Sequence, residues 1–585
     1  MAEYLAPGVY VEETSFRAKS IEGVGTSTTG FVGLARKGPL NNATFVTSSP
    51  DFQRIFGGFY DLKLTGEGGK EVDATKEVNY LAHAVQAFFD NGGSRLYVSR
   101  VYGGDAAVTA KSAGLPASTA DDKAQVRFVA RFPGTAGNGR ISVRLNATGT
   151  SGKVVNALPA GSLVRVQPAG GGDKFLIKNA DGTFHFGTET VKPAEVEGKV
   201  EGSTLNVLTF DVSAASTPGD PPMVYEGLGF SPNHPRWAGA VLSQNPKRLA
   251  DAQENLFALQ VGPNVTPDQL LAALFGDLSK DPAAIDLTGG TDGSEPNSTN
   301  YKDGLAALES VEEIAIVAAP GSSAFLGADA IMQELIIHVQ KPRAYRIAIL
   351  EAPPGVIDKE LKDSRSKIDS TYAAYYYPWV WVSNPLARPE VHNIPQEVLV
   401  PPAGFMAGIY ARTDNLHGVA KAPANEPVLG ALRFERDINF AEQGILNPLG
   451  INCLRFFSGR GYRVWGARTA SSDPEWKYVN VRRYFLYLEH SIDNSTQWAV
   501  FENNGPALWD NIRQTVESFL YSEWKNGALL GTKPEEAYFV RCDRSTMTQN
   551  DLDNGRMVCL IGVAVLKPAE FVIFRIGQKT ADAKA

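Results

Sequence analysis

The spacing of apolar and polar positions divides this chain into stretches of different character. In residues 26–103 strand and helix periods alternate. Thr29–Leu34 (TGFVGL) reads as a buried strand, and Arg95–Val101 (RLYVSRV) alternates as a strand. Between them, Ser49–Phe56 (SPDFQRIF) opens with a Ser-Pro-Asp helix start followed by apolar residues at helical spacing. Val78–Phe89 (VNYLAHAVQAFF) predicts an amphipathic helix stopped by Asn91, Gly92 and Gly93. This β–α–β order predicts an α/β layer.

Residues 104–240 change character. Short alternating runs at Gln125–Ala130, Ile141–Leu145 and Leu205–Phe210 are separated by turn signals at Asp181, Gly182 and Pro218–Pro222. They predict a mostly-β insertion. Beyond it the α/β rhythm returns, with strands at Ile314–Ala319, Tyr345–Leu350 and Tyr377–Val382 and a helix at Ala330–Gln340. A cluster of Pro385, Pro389, Pro395, Pro401 and Pro402 marks a second boundary. The part that follows predicts helices at Asn480–Ile492 and Pro506–Leu530, and strands at Val558–Val565 and Glu570–Ile576. In Pro506–Leu530, Leu508, Ile512, Val516 and Leu520 share one helical face, which predicts packing on a core. Trp509, Arg513 and Lys525 then fall elsewhere on its surface.

Both ends carry strand signals without an obvious partner. The first is Val9, Tyr10, Val11 and Glu12, in an arm of residues 1–25. The second is Phe571, Val572, Ile573, Phe574, Arg575 and Ile576. Such segments either pair within their own subunit or add to a sheet of another chain.

Composition narrows the function classes. The chain has 585 residues, 43% hydrophobic and 21% charged, which excludes collagen, coiled coil and wholesale disorder. A formal charge of -8 disfavours a phosphate-gripping surface, so no nucleic-acid partner is expected. The N-terminus has neither a basic nor an apolar signal region, so no secretory signal is expected. The apolar run near Tyr375–Val382 is far short of the roughly 20 residues of a membrane helix. Cys453, Cys542 and Cys559 are scattered without a CxxC. They read as buried small hydrophobes in a reducing cytosol rather than a disulfide framework or zinc site.

Motifs for chemistry are weak. Gly66–Lys70 (GEGGK) lacks the spacing and the Ser/Thr of a phosphate loop, and Gly459–Gly466 (GRGYRVWG) reads as a turn between strands. There is no HExxH and no GxSxG. Asp414 and His417 are read as a loop pair with a local hydrogen bond. Asp286–Gly293 (DLTGGTDG) is read as a turn, because it lacks the terminal acid of a calcium loop. Neither a catalytic residue nor a cofactor or metal site is expected.

A dense series of runs in the last third carries a resemblance. They include Val400–Arg412 (VPPAGFMAGIYAR), Lys421–Asn425 (KAPAN), Leu446–Cys453 (LNPLGINC) and Gly459–Arg468 (GRGYRVWGAR). Ser471–Arg483 (SSDPEWKYVNVRR), Pro534–Asp543 (PEEAYFVRCD) and Lys567–Gly577 (KPAEFVIFRIG) continue it. Together with Tyr4–Glu12 (YLAPGVYVE) and Gly30–Pro39 (GFVGLARKGP), this order resembles the contractile tail sheath family of myophages, pyocin-like particles and injection systems.

The resemblance implies a structural subunit rather than an enzyme. Copies would stack as hexameric rings around an inner tube protein, with baseplate and tail-terminator proteins at the ends and no membrane insertion. A metastable extended sheath would contract and drive the tube through a target envelope. Assembly in the bacterial cytoplasm as part of a tail or tail-like particle is implied. The terminal strands would join a neighbour's sheet. Tube contact is expected on the 506–530 helix and the following loop, through Arg513, Lys525 and Lys533. Arg412, Asp414, Lys421 and Asn425 are expected to hold loops or an interface. The alternatives are a non-contractile structural protein and an enzyme borne on a phage-like particle.

The expected architecture is multidomain α/β (α+β): an inner α/β core with a mixed sheet, a β-rich inserted outer domain and extended arms. The expected divisions are 1–25 (arm), 26–103 and 241–385 (core), 104–240 (insertion), 386–566 (C-terminal inner domain facing the tube) and 567–585 (arm and tail).

Overall fold

The computed structural model describes residues 20–66, 72–112, 126–187, 189–216, 220–276, 278, 284–390 and 394–575. Its centre is an 8-stranded mixed sheet. The strands are β1 (Thr29–Leu34), β2 (Thr44–Val46), β3 (Leu96–Val101), β4 (Ile316–Ala318), β5 (Ile347–Glu351), β6 (Ala373–Tyr377), β7 (Ile451–Phe457) and β8 (Gly461–Trp465). In space they run β2-β3-β1-β4-β5-β6-β7-β8. The six inner strands are parallel, and β2 and β8 pair antiparallel at the edges.

Inner parallel strands are covered on both faces, which is why they read as unbroken apolar runs. Phe31, Val98, Ile316, Ile347 and Tyr376 pack under α1 (Tyr80–Asp90) and α2 (Ala403–His417). Val32, Val101, Val317, Ala348, Tyr375 and Tyr377 pack on the opposite side under helices Ser298–Glu309 and Ala328–Val339. The period of two therefore sends three successive tyrosines to alternate faces, and each hydroxyl finds a partner. Tyr375 bonds Ser364 Oγ at 3.0 Å, Tyr376 bonds Tyr410 at 2.6 Å, and Tyr377 donates to the Val356 carbonyl at 3.0 Å.

The helices α1 and α2 touch backbone to backbone. A Cβ on Gly404 or Gly408 would stand 2.5 Å from the carbonyl oxygens of Ala84 and Phe88 respectively. That contact accounts for the small residues of the run Val400–Arg412. Asn79 caps α1 by accepting from Ala82 N, and Gly93 N closes on the Phe88 carbonyl at 2.9 Å.

The insertion is an 11-stranded antiparallel sheet among the described residues. Its centre is the long pair Arg140–Thr150 and Ser203–Ala215. The sheet also takes in Phe257–Val261, paired with Val126–Ala130, and Ile285–Thr288, paired with Arg140–Thr150. The boundary expected at 240 therefore falls inside it. The α/β rhythm read from Ile314 to Leu350 belongs to the central layer, whereas helix Pro267–Phe275 packs on the same core as the insertion's sheet. Polar ties fasten the insertion to the centre. Asp292 accepts from Lys63 N, Thr135 N and Thr135 Oγ1 at 2.7–2.8 Å. Arg100, fully enclosed, donates to the carbonyls of Ala35, Gly38 and Pro133.

Three other expectations change. The strand read at Tyr377–Val382 is split: β6 ends at Tyr377, and Val380–Ser383 belongs to a separate 3-stranded sheet. Pro378 has no N–H to continue a ladder. The boundary at 385 does not divide the fold, because α2, β7 and β8 complete the central layer. Asp414 and His417 lie on α2 rather than in a loop; the helix closes at Gly418, whose φ is 80°.

Glu351 ends β5 wholly enclosed. Its Oε1 accepts from Gly321 N at 2.6 Å and from Ser323 Oγ at 3.3 Å. Burial outweighs these bonds and raises the carboxyl to about 8. Between the ordinary value of 4.5 and about 8, the folded chain keeps a proton that the unfolded chain has lost. This group's contribution to stability therefore falls as pH rises through that window. Glu351→Gln is expected to raise the calorimetric unfolding midpoint over the parent more at pH 8 than at pH 5. An equal difference at both pH values refutes the assignment.

Candidate functional site

Past Ala470 the chain builds a unit with its own core. It comprises α3 (Val479–Thr496), α4 (Pro506–Lys525), β9 (Tyr538–Arg541) and β10 (Leu560–Val563). Tyr484, Leu488, Leu508, Ile512, Val516, Leu520 and Val540 pack together there, with Ile21 from the other end of the chain. The expected apolar face of α4 is present. Trp509 belongs to that core too, and its indole N–H donates to Asn504.

Helix α3 holds both ends of the described chain. Arg483 donates to the two carboxylate oxygens of Asp414 on α2, at 2.8 and 2.6 Å, and to the Thr26 carbonyl at 3.0 Å. Thr26 Oγ1 donates to the same carboxylate at 2.6 Å. The two charged side chains are 3% and 4% exposed, and the guanidinium lies 4.7 Å from the centre of the Tyr410 ring. Burial works against the Arg483 charge, but Asp414 outweighs it and holds the group above its usual range. About two and three turns further along α3, Ser491 Oγ accepts from Val24 N and Ser495 Oγ from Glu22 N. Gly23 lies flat on Tyr487, where a Cβ would stand 2.3 Å from the hydroxyl.

The other end is fixed at the start of α3. Asn480 Nδ2 donates to the carbonyls of Leu566 and Ala420. Glu570 accepts from Arg468 Nε and Nη2 at 2.8 and 2.7 Å, from Tyr478 Oη at 2.9 Å and from Asn447 Nδ2 at 2.7 Å. Burial alone would raise this carboxyl. The Arg468 guanidinium, the Asn447 amide and the Tyr478 hydroxyl outweigh it and hold it at about 2. A cavity of about 860 Å³ is lined by residues 566–573 together with Ala420, Phe440 and Trp465.

The expected site residues fall in three groups. Val9, Tyr10, Val11, Glu12 and Ile576 lie outside the described residues. Phe571, Val572, Ile573, Phe574 and Arg575 follow Glu570 directly. They are exposed and form no strand, a correction to the reading of Glu570–Ile576, since among the described residues no sheet edge pairs with them. Arg513 is ion-paired along its own helix with Asp510 and Glu517, while Lys525 and Lys533 are exposed. Arg412 donates to the carbonyls of Asn91 and Pro427, and Lys421 pairs with Glu426, so both tie loops. The Glu570 latch was missed. Its signal was a single carboxylate at the head of an otherwise apolar run.

Among the described residues no group of His, Cys, Asp and Glu is placed to hold a metal ion, and no helix is long and apolar enough to cross a membrane. What the geometry defines is a multidomain α/β scaffold with both ends rooted on one helix. Residues 295–470 match the phage tail sheath protein central domain, and residues 471–579 match the phage tail sheath C-terminal domain. The family division at 470 coincides with the division between the central layer and the unit built on α3. The tail sheath protein of Vibrio phage KVP40 is 23% identical over 291 residues, covering 48% of this chain and 42% of the relative. That of Enterobacteria phage T4 is 28% identical over 177 residues, covering 30% of this chain and 26% of the relative. The chain thus spans less than half the length of these relatives. The fold is similar over 98% of this chain to the helical sheath of the anti-feeding prophage in its contracted state, with a TM-score of 0.52 and 21% identity. The PVC sheath of an extracellular contractile injection system, also contracted, covers 99% of this chain with a TM-score of 0.52 and 19% identity. This chain belongs to the contractile tail sheath family.

The Glu570 latch sets a pH dependence. Its folded value lies below the ordinary 4.5, so its stabilisation is complete above that value and is lost as pH falls through about 2. Glu570→Gln is expected to let the apolar run fold back and so to slow chymotryptic cleavage at Phe571 and Phe574 at pH 7.5 at least several-fold. Unchanged cleavage in the variant overturns the latch.

Proposed function

We propose that this chain is the repeating structural subunit of a contractile sheath in a phage tail or tail-like particle. Copies stack as hexameric rings around an inner tube, with a baseplate at one end. Contraction draws its work from the difference between two packings of the same subunits, without nucleotide hydrolysis, and no catalysis is assigned to the chain. The subunits assemble in the cytoplasm. Membership of the sheath family supports this reading. The observation that carries it is the exposed apolar run Phe571–Phe574, held at its root by Glu570 and without a strand partner among the described residues.

The receiver we propose is the β9–β10 pair. Among the described residues this sheet has two strands, and such a hairpin is marginal alone. Residues 7–12 of one neighbour and 571–576 of another would complete it by strand addition. Each added strand contributes about five backbone hydrogen bonds at roughly 1 kcal/mol net apiece. Ordering the arm offsets much of that. The result is a bendable tether rather than a rigid weld, which keeps subunits joined while their faces slide.

Deleting residues 1–14 is expected to leave a folded subunit, by circular dichroism and calorimetry, that forms no sheaths in negative-stain images. Normal sheaths from that truncation defeat the proposal.

Tube contact is assigned to the loop end of α4, through Lys525 and Lys533. Arg513 keeps the part of a helix-stabilising ion pair. Replacing both lysines by glutamate is expected to reduce co-sedimentation with tube protein, and to reduce it more at low salt. Equal co-sedimentation at every salt concentration counts against the assignment.

A further inference from the structure

Two of the three cysteines face each other across the β9–β10 sheet. The register pairs Tyr538 with Val563 and Arg541 with Leu560, so Cys542 and Cys559 are the next pair outward. Ala564 N donates to the Ala537 carbonyl at 2.8 Å, which makes Ala537 and Ala564 a hydrogen-bonded pair. Bonded and non-bonded pairs alternate along an antiparallel ladder. Counting outward, Cys542 and Cys559 fall at a non-bonded position, where facing Cα atoms are about 4.5 Å apart. A disulfide spans Cα separations of about 4.4–6.8 Å.

The faces agree as well as the register. Tyr538, Val540, Cys542, Cys559, Ile561 and Val563 all contribute to one core, so both thiols are on the inner face. Cys542 is buried and Cys559 is partly exposed, so a small reagent reaches one of the two. Both cysteines carry free thiols.

We propose that Cys542 and Cys559 form a disulfide site, closed by a low-molecular-weight disulfide such as oxidised glutathione. The Cys559 thiolate attacks one sulfur of the reagent and releases one glutathione thiolate, leaving a mixed disulfide on Cys559. The Cys542 thiolate then attacks Cys559 Sγ and releases the second glutathione. Two protons and two electrons leave the protein pair, and one glutathione disulfide becomes two glutathiones. In a reducing cytosol the pair stays open, and an oxidising medium closes it. Burial holds both thiols above their usual range, Cys559 at about 12, so closure is slow at neutral pH and faster as pH rises.

The cross-link staples the loop end of the hairpin, just beyond the last ladder pair, and closes the loop of residues 543–558. Chain closure of this kind stabilises chiefly by restricting the unfolded state. The site stands independently of the sheath reading, and a failed polymerisation assay leaves it untouched.

The test uses the full wild-type chain, incubated at pH 8.5 with oxidised glutathione or with a reductant. It is then denatured, alkylated, digested with trypsin without reduction, and analysed by mass spectrometry. The expected product joins the peptide Cys542–Arg544 to Met557–Arg575 with the loss of two hydrogens, since Pro568 blocks cleavage after Lys567. The Cys453 peptide, from an enclosed position on β7, stays alkylated. The oxidised chain is expected to unfold several degrees higher, and reductant reverses the gain. Alkylation of both thiols after exhaustive oxidation overturns the proposal. So does a glutathione adduct that persists on Cys559, or a bond from either cysteine to another copy of the chain.

Discussion

Arg483 and the Thr26 carbonyl it holds are 457 residues apart in sequence, and Asp414 completes the contact from a third segment. The rest of the structure depends on this buried pair. An enclosed guanidinium and carboxylate each lose several kcal/mol of hydration, and their attraction regains it only with complete hydrogen bonding. Here the carboxylate takes three short donors and the guanidinium also meets a backbone carbonyl and an aromatic face. Removing one partner of such a pair typically costs about 3–5 kcal/mol, because the other charge is stranded. The joint between the central layer and the unit on α3 is therefore stiff and directional, unlike a greasy contact that can slide.

That stiffness has a mechanical consequence. Residues 22–26 run along α3 from Ser495 to Arg483, while Leu566 and Glu570 are held at its other end. A pull on either end of the chain is delivered to one helix. The load then passes through Asp414 into α2, and from α2 through Gly404 and Gly408 into α1 and the central sheet. Ends rooted in this way let a subunit turn as a body while the segments beyond the roots bend. The insertion is off this path. It joins the centre through Asp292, Arg100 and the pairing of Arg36 and Lys37 with Asp220, all on the β1–β3 side of the sheet.

What was legible in the sequence follows from range. Thr29–Leu34, the helix ending at Asn91 and the helix at Pro506 were readable because period, cap and stop are local. The sheet order was not, since the pairing of β6 with β7 joins segments separated by a third sheet and a long helix. The limit of the insertion was misplaced for the same reason: Ile285–Thr288 becomes part of that sheet only by pairing with Arg140–Thr150. The ends were legible as strand-like, but not as rooted. The carboxylate at the head of the apolar run is a local signal, but what it fastens to is not, because its partners Asn447, Arg468 and Tyr478 are 92–123 residues away.

The balance at the C-terminal root explains why an apolar run can remain exposed. Four adjacent residues, Phe571 to Phe574, stand 69–82% exposed, and hydrophobic burial favours folding them back. The lined cavity beside residues 566–573 offers a place for that collapse. Glu570 opposes it. Its carboxylate is fixed by two arginine bonds, an amide and a phenol, so the backbone direction is set one residue before the apolar run begins. In an extended strand, period-two alternation would turn Phe571 and Ile573 to one side and Val572 and Phe574 to the other. A segment apolar on both sides gains little from lying on a surface with one face in water. It gains most as a strand inside a sheet covered on both faces, which is the role proposed for it.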